Sequence, residues 1–104
     1  MDNDSPTRLF PEFKAQSHEG AALSLVLYKS DTCFFCHRVM AAVKNLTIPL
    51  VVQDTRRDPK AYQTLVETGG KSQVPCLFIN GEPLYESADI IGFFKDGVVV
   101  VASS

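Results

Sequence analysis

No apolar run in this sequence approaches the roughly 18 to 20 residues needed to cross a bilayer, so no membrane span is expected. Positive charge is not in excess either. Ten Lys and Arg stand against twelve Asp and Glu, a formal net charge of −2. A nucleic-acid binder needs a basic surface to displace counterions, so that class is set aside. The stretch from Met1 to Pro11 opens with Asp2 and Asp4 and has no apolar stretch of the signal-peptide kind. The expected compartment is therefore the cytoplasm, where thiols stay reduced. There is no internal repeat and no low-complexity tract. Cysteine is scarce and odd in number: Cys33, Cys36 and Cys76. Three cysteines in such a chain do not make a disulfide framework.

What is present suits one packed domain. The chain has 104 residues, of which 45% are hydrophobic, enough for a single core and too apolar for general disorder. Residues 1–22 read as a polar extension in which Leu9, Phe10 and Phe13 can dock on a core. That extension leaves room for a short helix between Glu12 and Glu19. Leu23 to Tyr28 is a near-continuous apolar run of the buried-strand type. From Cys36 the apolar positions Val39, Met40, Val43 and Leu46 follow helical spacing, with Asp31 or Thr32 placed to cap the helix.

Ile48 to Gln53 is a second strand, and strand, helix, strand makes a βαβ unit with parallel strands. Asp58-Pro59 opens a second helix whose inner face is Ala61, Tyr62, Leu65 and Val66, and Gly69-Gly70 ends it. Cys76 to Ile79 is a third strand, Asn80-Gly81 a hairpin turn, and Pro83 to Tyr85 a fourth strand antiparallel to the third. Ser87 caps a last helix with Ile90, Ile91, Phe93 and Phe94 apolar, and Asp96-Gly97 stops it. The order is β-α-β-α-β-β-α: an α/β domain over residues 23–97, with a four-stranded mixed sheet and about three helices on its two faces. Residues 98–104 form a tail. Its Val98 to Val101 run is an uncovered edge unless something pairs with it.

The chemistry concentrates in Cys33-Phe34-Phe35-Cys36. Cys33 lies at the entry of a helix, where free N–H groups and the dipole stabilise a thiolate, while Cys36 lies one turn inside. These positions assign the attack to Cys33 and the return attack, closing an intramolecular disulfide, to Cys36. A structural zinc is the rival reading. It wants four ligands, and only Cys76, His18 and His37 remain to complete the set. His37 is expected to point outward and His18 to be solvated. Cys76 reads as a core cysteine, with a place beside the active site as the alternative.

A Cys-x-x-Cys at a strand-to-helix turn, a Val74-Pro75 opening a hairpin, and Ser87-Ala88-Asp89 at the start of the last helix together resemble glutaredoxin. The match runs from about Leu25 to Lys95. The resemblance implies a thioredoxin-like fold and a glutathione-dependent thiol–disulfide oxidoreductase acting on glutathionylated or disulfide-containing proteins. It implies that Cys33 forms the mixed disulfide with glutathione and that Cys36 resolves it. It further implies that Pro75 is a cis-proline and that the Val74 backbone pairs with the cysteinyl unit of glutathione. Phe35 joins these contacts, and Ser87 and Asp89 hold the γ-glutamyl end.

Three departures stand out. Phe34 occupies the place of a common proline. The slot of a common lysine holds Ser30, with Lys29 one residue earlier, which leaves Lys71, Arg56 or Arg57 to supply the cation. Glu86 to Ile90 is also similar to the Glu-Ser turn of glutathione transferase N-terminal domains. The alternative function is a [2Fe–2S] carrier or sensor, with a cluster bridging two subunits through Cys33 of each and two glutathiones. No resident metal is otherwise expected. An inactive binding module is a third reading, against which the intact cysteine pair argues.

Overall fold

The computed structural model describes residues 6–103; Asp2 and Asp4 lie outside the described residues. Ten elements follow in order: β1 (Thr7–Leu9), β2 (Phe13–Gln16), β3 (Leu25–Lys29), α1 (Phe34–Leu46), β4 (Leu50–Asp54), α2 (Pro59–Gly69), β5 (Cys76–Ile79), β6 (Glu82–Leu84), α3 (Ser87–Asp96) and β7 (Val99–Ala102). From β3 to α3 this is the expected β-α-β-α-β-β-α order, and the fold is thioredoxin-like. The main sheet runs β1-β4-β3-β5-β6, with β3 and β4 parallel and the other pairs antiparallel.

The strand count differs from the four expected. β1 adds a fifth strand on the outer edge of β4, its Leu9 opposite Leu50. β2 and β7 form a separate antiparallel pair, Phe13 opposite Ala102 and Gln16 opposite Val99. The expected helix between Glu12 and Glu19 is therefore a strand followed by a turn, because pairing with β7 supplies the backbone partners that an isolated helical turn lacks. The same pairing covers the edge of the valine-rich tail.

Alternation in the central strands sorts the core onto two faces. Leu25 and Leu27 of β3 and Leu77 of β5 point to one side and pack with Val39 and Val43 of α1 and Ile90 and Phe94 of α3. Tyr28 of β3 and Cys76 and Phe78 of β5 point to the other and pack with Ala61 and Leu65 of α2. Leu9 and Phe10 dock on the first cluster. Leu46 and Tyr62, expected on inner faces, are exposed. Each lies near one end of its helix, at the margin of the buried stripe. The hairpin between β5 and β6 turns at Asn80 (φ 50°) and Gly81 (φ 87°), the backbone that Asn-Gly adopts most readily.

Two caps differ from expectation. α2 starts as read, with Asp58 accepting from the Lys60 amide at 3.0 Å. The cap of α1, however, is Cys33 rather than Asp31 or Thr32. Asp31 is held by Lys29 and Arg57, and Thr32 by Ser30 and Arg56, so neither side chain is left to bond the helix. At α3 the cap position is Glu86, with no side-chain bond to the helix, and Ser87 is the first residue inside.

Phe94 is 2% exposed at the contact between α3 and α1. Phe94→Ala is expected to lower the unfolding free energy by about 3–5 kcal/mol, a large part of the total for a domain of this size. Urea denaturation followed by circular dichroism checks this; a loss below about 1 kcal/mol would show that the site collapses around the smaller residue.

Candidate active site

The end of β3 feeds a loop of four residues, Ser30 to Cys33, and that loop is pinned on several sides. Asp54, buried at the end of β4, accepts from the backbone amides of Arg56 (2.9 Å) and Arg57 (3.1 Å). The Lys29 ammonium bridges Asp54 (3.3 Å) and Asp31 (2.5 Å), and Arg57 reaches Asp31 at 3.0 Å. Burial works against that ammonium, but its bonds to Asp31 and Asp54 outweigh the penalty and raise its pKa. The hydrogen bond from Lys29, with Arg57 beside it, holds the Asp31 carboxyl below its ordinary range. On the other side the ring of His37 meets the Asp31 carbonyl at 2.6 Å. The Cys33 amide donates to the Ser30 carbonyl at 3.2 Å, closing the turn.

Cys33 emerges from this loop as the N-cap of α1. Its sulfur accepts the Cys36 amide at 3.2 Å, and its thiol reaches the Val74 carbonyl at 3.7 Å. The sulfur therefore faces the amide end of the helix, where negative charge is favoured. Cys36 differs: it is fully buried, and burial first, then the bond to Cys33, pushes its thiol up to about 12. One thiol is accessible and the other is shielded and protonated, an asymmetry suited to attack from Cys33 alone.

Beside the sulfur lies a cleft of about 280 Å³, lined by Phe35, Gln73, Val74, Pro75, Tyr85, Glu86 and Ser87. Val74–Pro75 is cis. Of the residues picked from the sequence for glutathione, Phe35, Val74, Pro75 and Ser87 meet in this cleft. Asp89 does not line it and stands exposed on the first turn of α3.

Gln73 and Tyr85 are lining residues that sequence reasoning missed. Tyr85 is fixed on several sides. Its hydroxyl donates to the Lys71 carbonyl at 3.5 Å, the Lys71 ammonium sits 5.1 Å above its ring, and Gly69 makes room, since a Cβ there would run into the hydroxyl. The signal available was position: Tyr85 ends the hairpin two residues before Ser87. A larger cavity, about 310 Å³, lies at the other end of the sheet between β1–β2 and the starts of β3 and β4. It is lined by no cysteine.

Cys76 is buried in the cluster under α2, where burial raises its thiol to about 11. His18 is exposed but not free, because its ring nitrogen meets the Asp96 carbonyl at the end of α3, 2.5 Å away. Among the described residues no group of three or more His, Cys, Asp or Glu gathers to hold a metal ion. Cys76, His18 and His37 are thus not brought to the Cys33–Cys36 pair as a zinc set.

A dithiol at the amide end of a helix, facing the residue before a cis-proline at the mouth of a cleft, is the active-site plan of a thioredoxin-like thiol protein. A family model described as Glutaredoxin matches residues 25–84. A curated protein of Arabidopsis thaliana, Glutaredoxin-C4, is 31% identical over 96 residues, covering 89% of this chain and 67% of that protein. The chain belongs to the glutaredoxin family. Two solved structures share its fold. Glutathione transferase Omega 3C from Trametes versicolor aligns with a TM-score of 0.59 and 24% identity over 69% of this chain, which spans only 32% of the transferase chain. The holo form of glutaredoxin C1 from Populus tremula x tremuloides aligns with a TM-score of 0.56 and 19% identity, covering 68% of this chain and 73% of that one. Membership implies thiol–disulfide oxidoreductase activity of the glutathione-dependent type. No helix among the described residues is long and apolar enough to cross a membrane.

The buried thiols carry a pH signature. Cys36 and Cys76 have an ordinary value of 9.0 and are raised to about 12 and about 11 in the fold. Below pH 9 both states hold these protons and stability is complete. As pH rises beyond 9 the unfolded thiols ionise first, and stability falls through the folded values. Tyr28 and Tyr85, raised by burial from 10.0, add to the loss at higher pH. Urea midpoints measured between pH 7 and 10.5 are expected to be flat and then to fall. Cys76→Ala should shallow the fall above pH 9, and an unchanged slope would remove Cys76 as a contributor.

Proposed function

We propose that this chain reduces protein–glutathione mixed disulfides and protein disulfides, with glutathione as co-substrate. The observation that carries the reading is the half-buried Cys33 sulfur, bonded by the Cys36 amide and 3.7 Å from the carbonyl of Val74, which lines a cleft of about 280 Å³. The Cys33 thiolate attacks the glutathionyl sulfur of the substrate. The substrate's sulfur leaves as thiolate and Cys33 carries the glutathione. A second glutathione thiolate then attacks that glutathionyl sulfur, giving glutathione disulfide and restoring the Cys33 thiolate. For protein disulfides Cys36 supplies the second thiol, once its proton is removed.

In this reading the Val74 backbone and Phe35 flank the bound peptide, and the first amides of α3 at Ser87 take its γ-glutamyl carboxylate. Glu86, in the cleft, faces the ammonium, and Asp89, outside the cleft on the first turn of α3, adds negative charge on the same side. Lys29 is committed to Asp31 and Asp54, so Lys71, at the rim over Tyr85, is the cation for a peptide carboxylate. The chemistry belongs in a compartment that keeps thiols reduced, the cytoplasm.

A coupled assay with glutathione, glutathione reductase and a small glutathione mixed disulfide tests the reading. Cys33→Ser should abolish turnover. Cys36→Ser should stay within about threefold of the parent, because glutathione resolves the mixed disulfide unaided. Equal loss in the two variants would overturn the roles. Cluster binding is the second reading, favoured by the half-buried Cys33 sulfur with an amide donor at its side. Cys33 would be the one protein ligand from each copy, and the exposed rings of Phe34 and Phe35 stand in the path of the second copy. A colourless monomer after anaerobic reconstitution with iron, sulfide and glutathione would dispose of it.

A further inference from the structure

The cleft accounts for Phe35 but not for Phe34. Phe34 opens α1 directly after Cys33, is 67% exposed, and does not line the cleft. Its ring is held edge-on against Phe35, with centroids 5.4 Å apart, so the two form a standing apolar ridge beside the reacting sulfur. A large apolar side chain left in water on the first turn of a helix contributes nothing to the core.

On the side of this ridge away from the cleft, where Glu86 sits, two arginines stand near it. Arg38 lies four residues on from Phe34 and so on the same face of α1. Across the loop Arg56 donates to the Thr32 hydroxyl at 3.4 Å, next to Cys33. Both arginines are exposed, and among the described residues neither has a carboxylate partner. The acid beside them, Asp31, is occupied by Lys29 and Arg57. A chain of net charge −2 thus carries, next to an apolar ridge at its reactive end, two exposed arginines with no carboxylate partner among the described residues.

We propose that Phe34, Arg38 and Arg56 form a docking surface for the protein half of the substrate: a segment in which the glutathionylated cysteine is flanked by a large apolar residue and by carboxylates. Apolar contact with Phe34 holds the segment beside the cleft, and the arginines select its charge. This selectivity rests on the oxidoreductase reading above, and adds to it the sequence surrounding the cysteine that is reduced.

Three glutathionylated peptides of equal length separate the two ideas: one with Leu and Glu flanking the cysteine, one with Ser in place of Leu, and one with Lys in place of Glu. The parent protein should turn over the first with a kcat/KM about tenfold above the second, the scale of discrimination one apolar contact supplies. It should exceed the third by about threefold, as expected for an exposed charge contact. Phe34→Ser should erase the preference for Leu while the preference for Glu persists. The double variant Arg38→Glu, Arg56→Glu should invert the charge preference and keep the preference for Leu. All three positions are exposed, and circular dichroism confirms the fold of each variant. Equal kcat/KM on the three peptides, or preferences that survive the substitutions, would overturn the docking surface while leaving the function in place. Failure to turn over any of the three would overturn both.

Discussion

The carboxylate of Asp54, buried where β4 ends, is the charge on which the reactive end depends. A charge removed from water must be met by bonds. Here it is met by two backbone amides of the turn that follows β4 and by the Lys29 ammonium at the end of β3. Lys29 in turn holds Asp31, so a pair of neighbouring parallel strands and the loop leaving one of them are tied through one carboxylate. With the side chains of Asp31 and Thr32 engaged, the first amides of α1 are left to the sulfur of Cys33. Cys33 caps its own helix because its neighbours are occupied.

The two cysteines of one motif are pulled apart chemically by a single helical turn. Cys33 meets the Val74 carbonyl and the Cys36 amide, whereas Cys36 is turned into the core and kept protonated by burial. Exchange with a small thiol needs only the first. In the proposed reaction the second serves only for a substrate disulfide that glutathione is slow to reach. The cleft next to them takes its shape from contacts remote in sequence, with Tyr85 seated against Gly69 and under Lys71.

The stretch from β3 to α3 was legible because each element there is long enough to show its period and ends on a clear breaker: Asp58-Pro59, Gly69-Gly70, Asn80-Gly81. The cysteine pair and the proline opposite were legible as a motif. β1 and β2 were not, since three or four residues of mixed polarity show no period and take their conformation from partners distant in sequence. Capping failed where the local rule was overruled by ion pairs, at Asp31, and by one residue of register, at Ser87. Gln73 and Tyr85 were missed because lining a cleft is a property of assembled loops. Asp89, which the resemblance assigns to the γ-glutamyl end, stands on the first turn of α3 outside the cleft lining.

Among the described strand pairings, that of β2 with β7 spans the most sequence. Loop-closure entropy makes such a contact late to form, whatever its strength in the finished fold. During synthesis Phe13–Gln16 emerges early and stays without its partner until Val99–Ala102 has followed. By then the residues of every strand and helix that holds Cys33 are already in the chain. The strand that closes the second sheet is thus the last to be supplied, after every residue of the cleft and both thiols of the motif are in the chain.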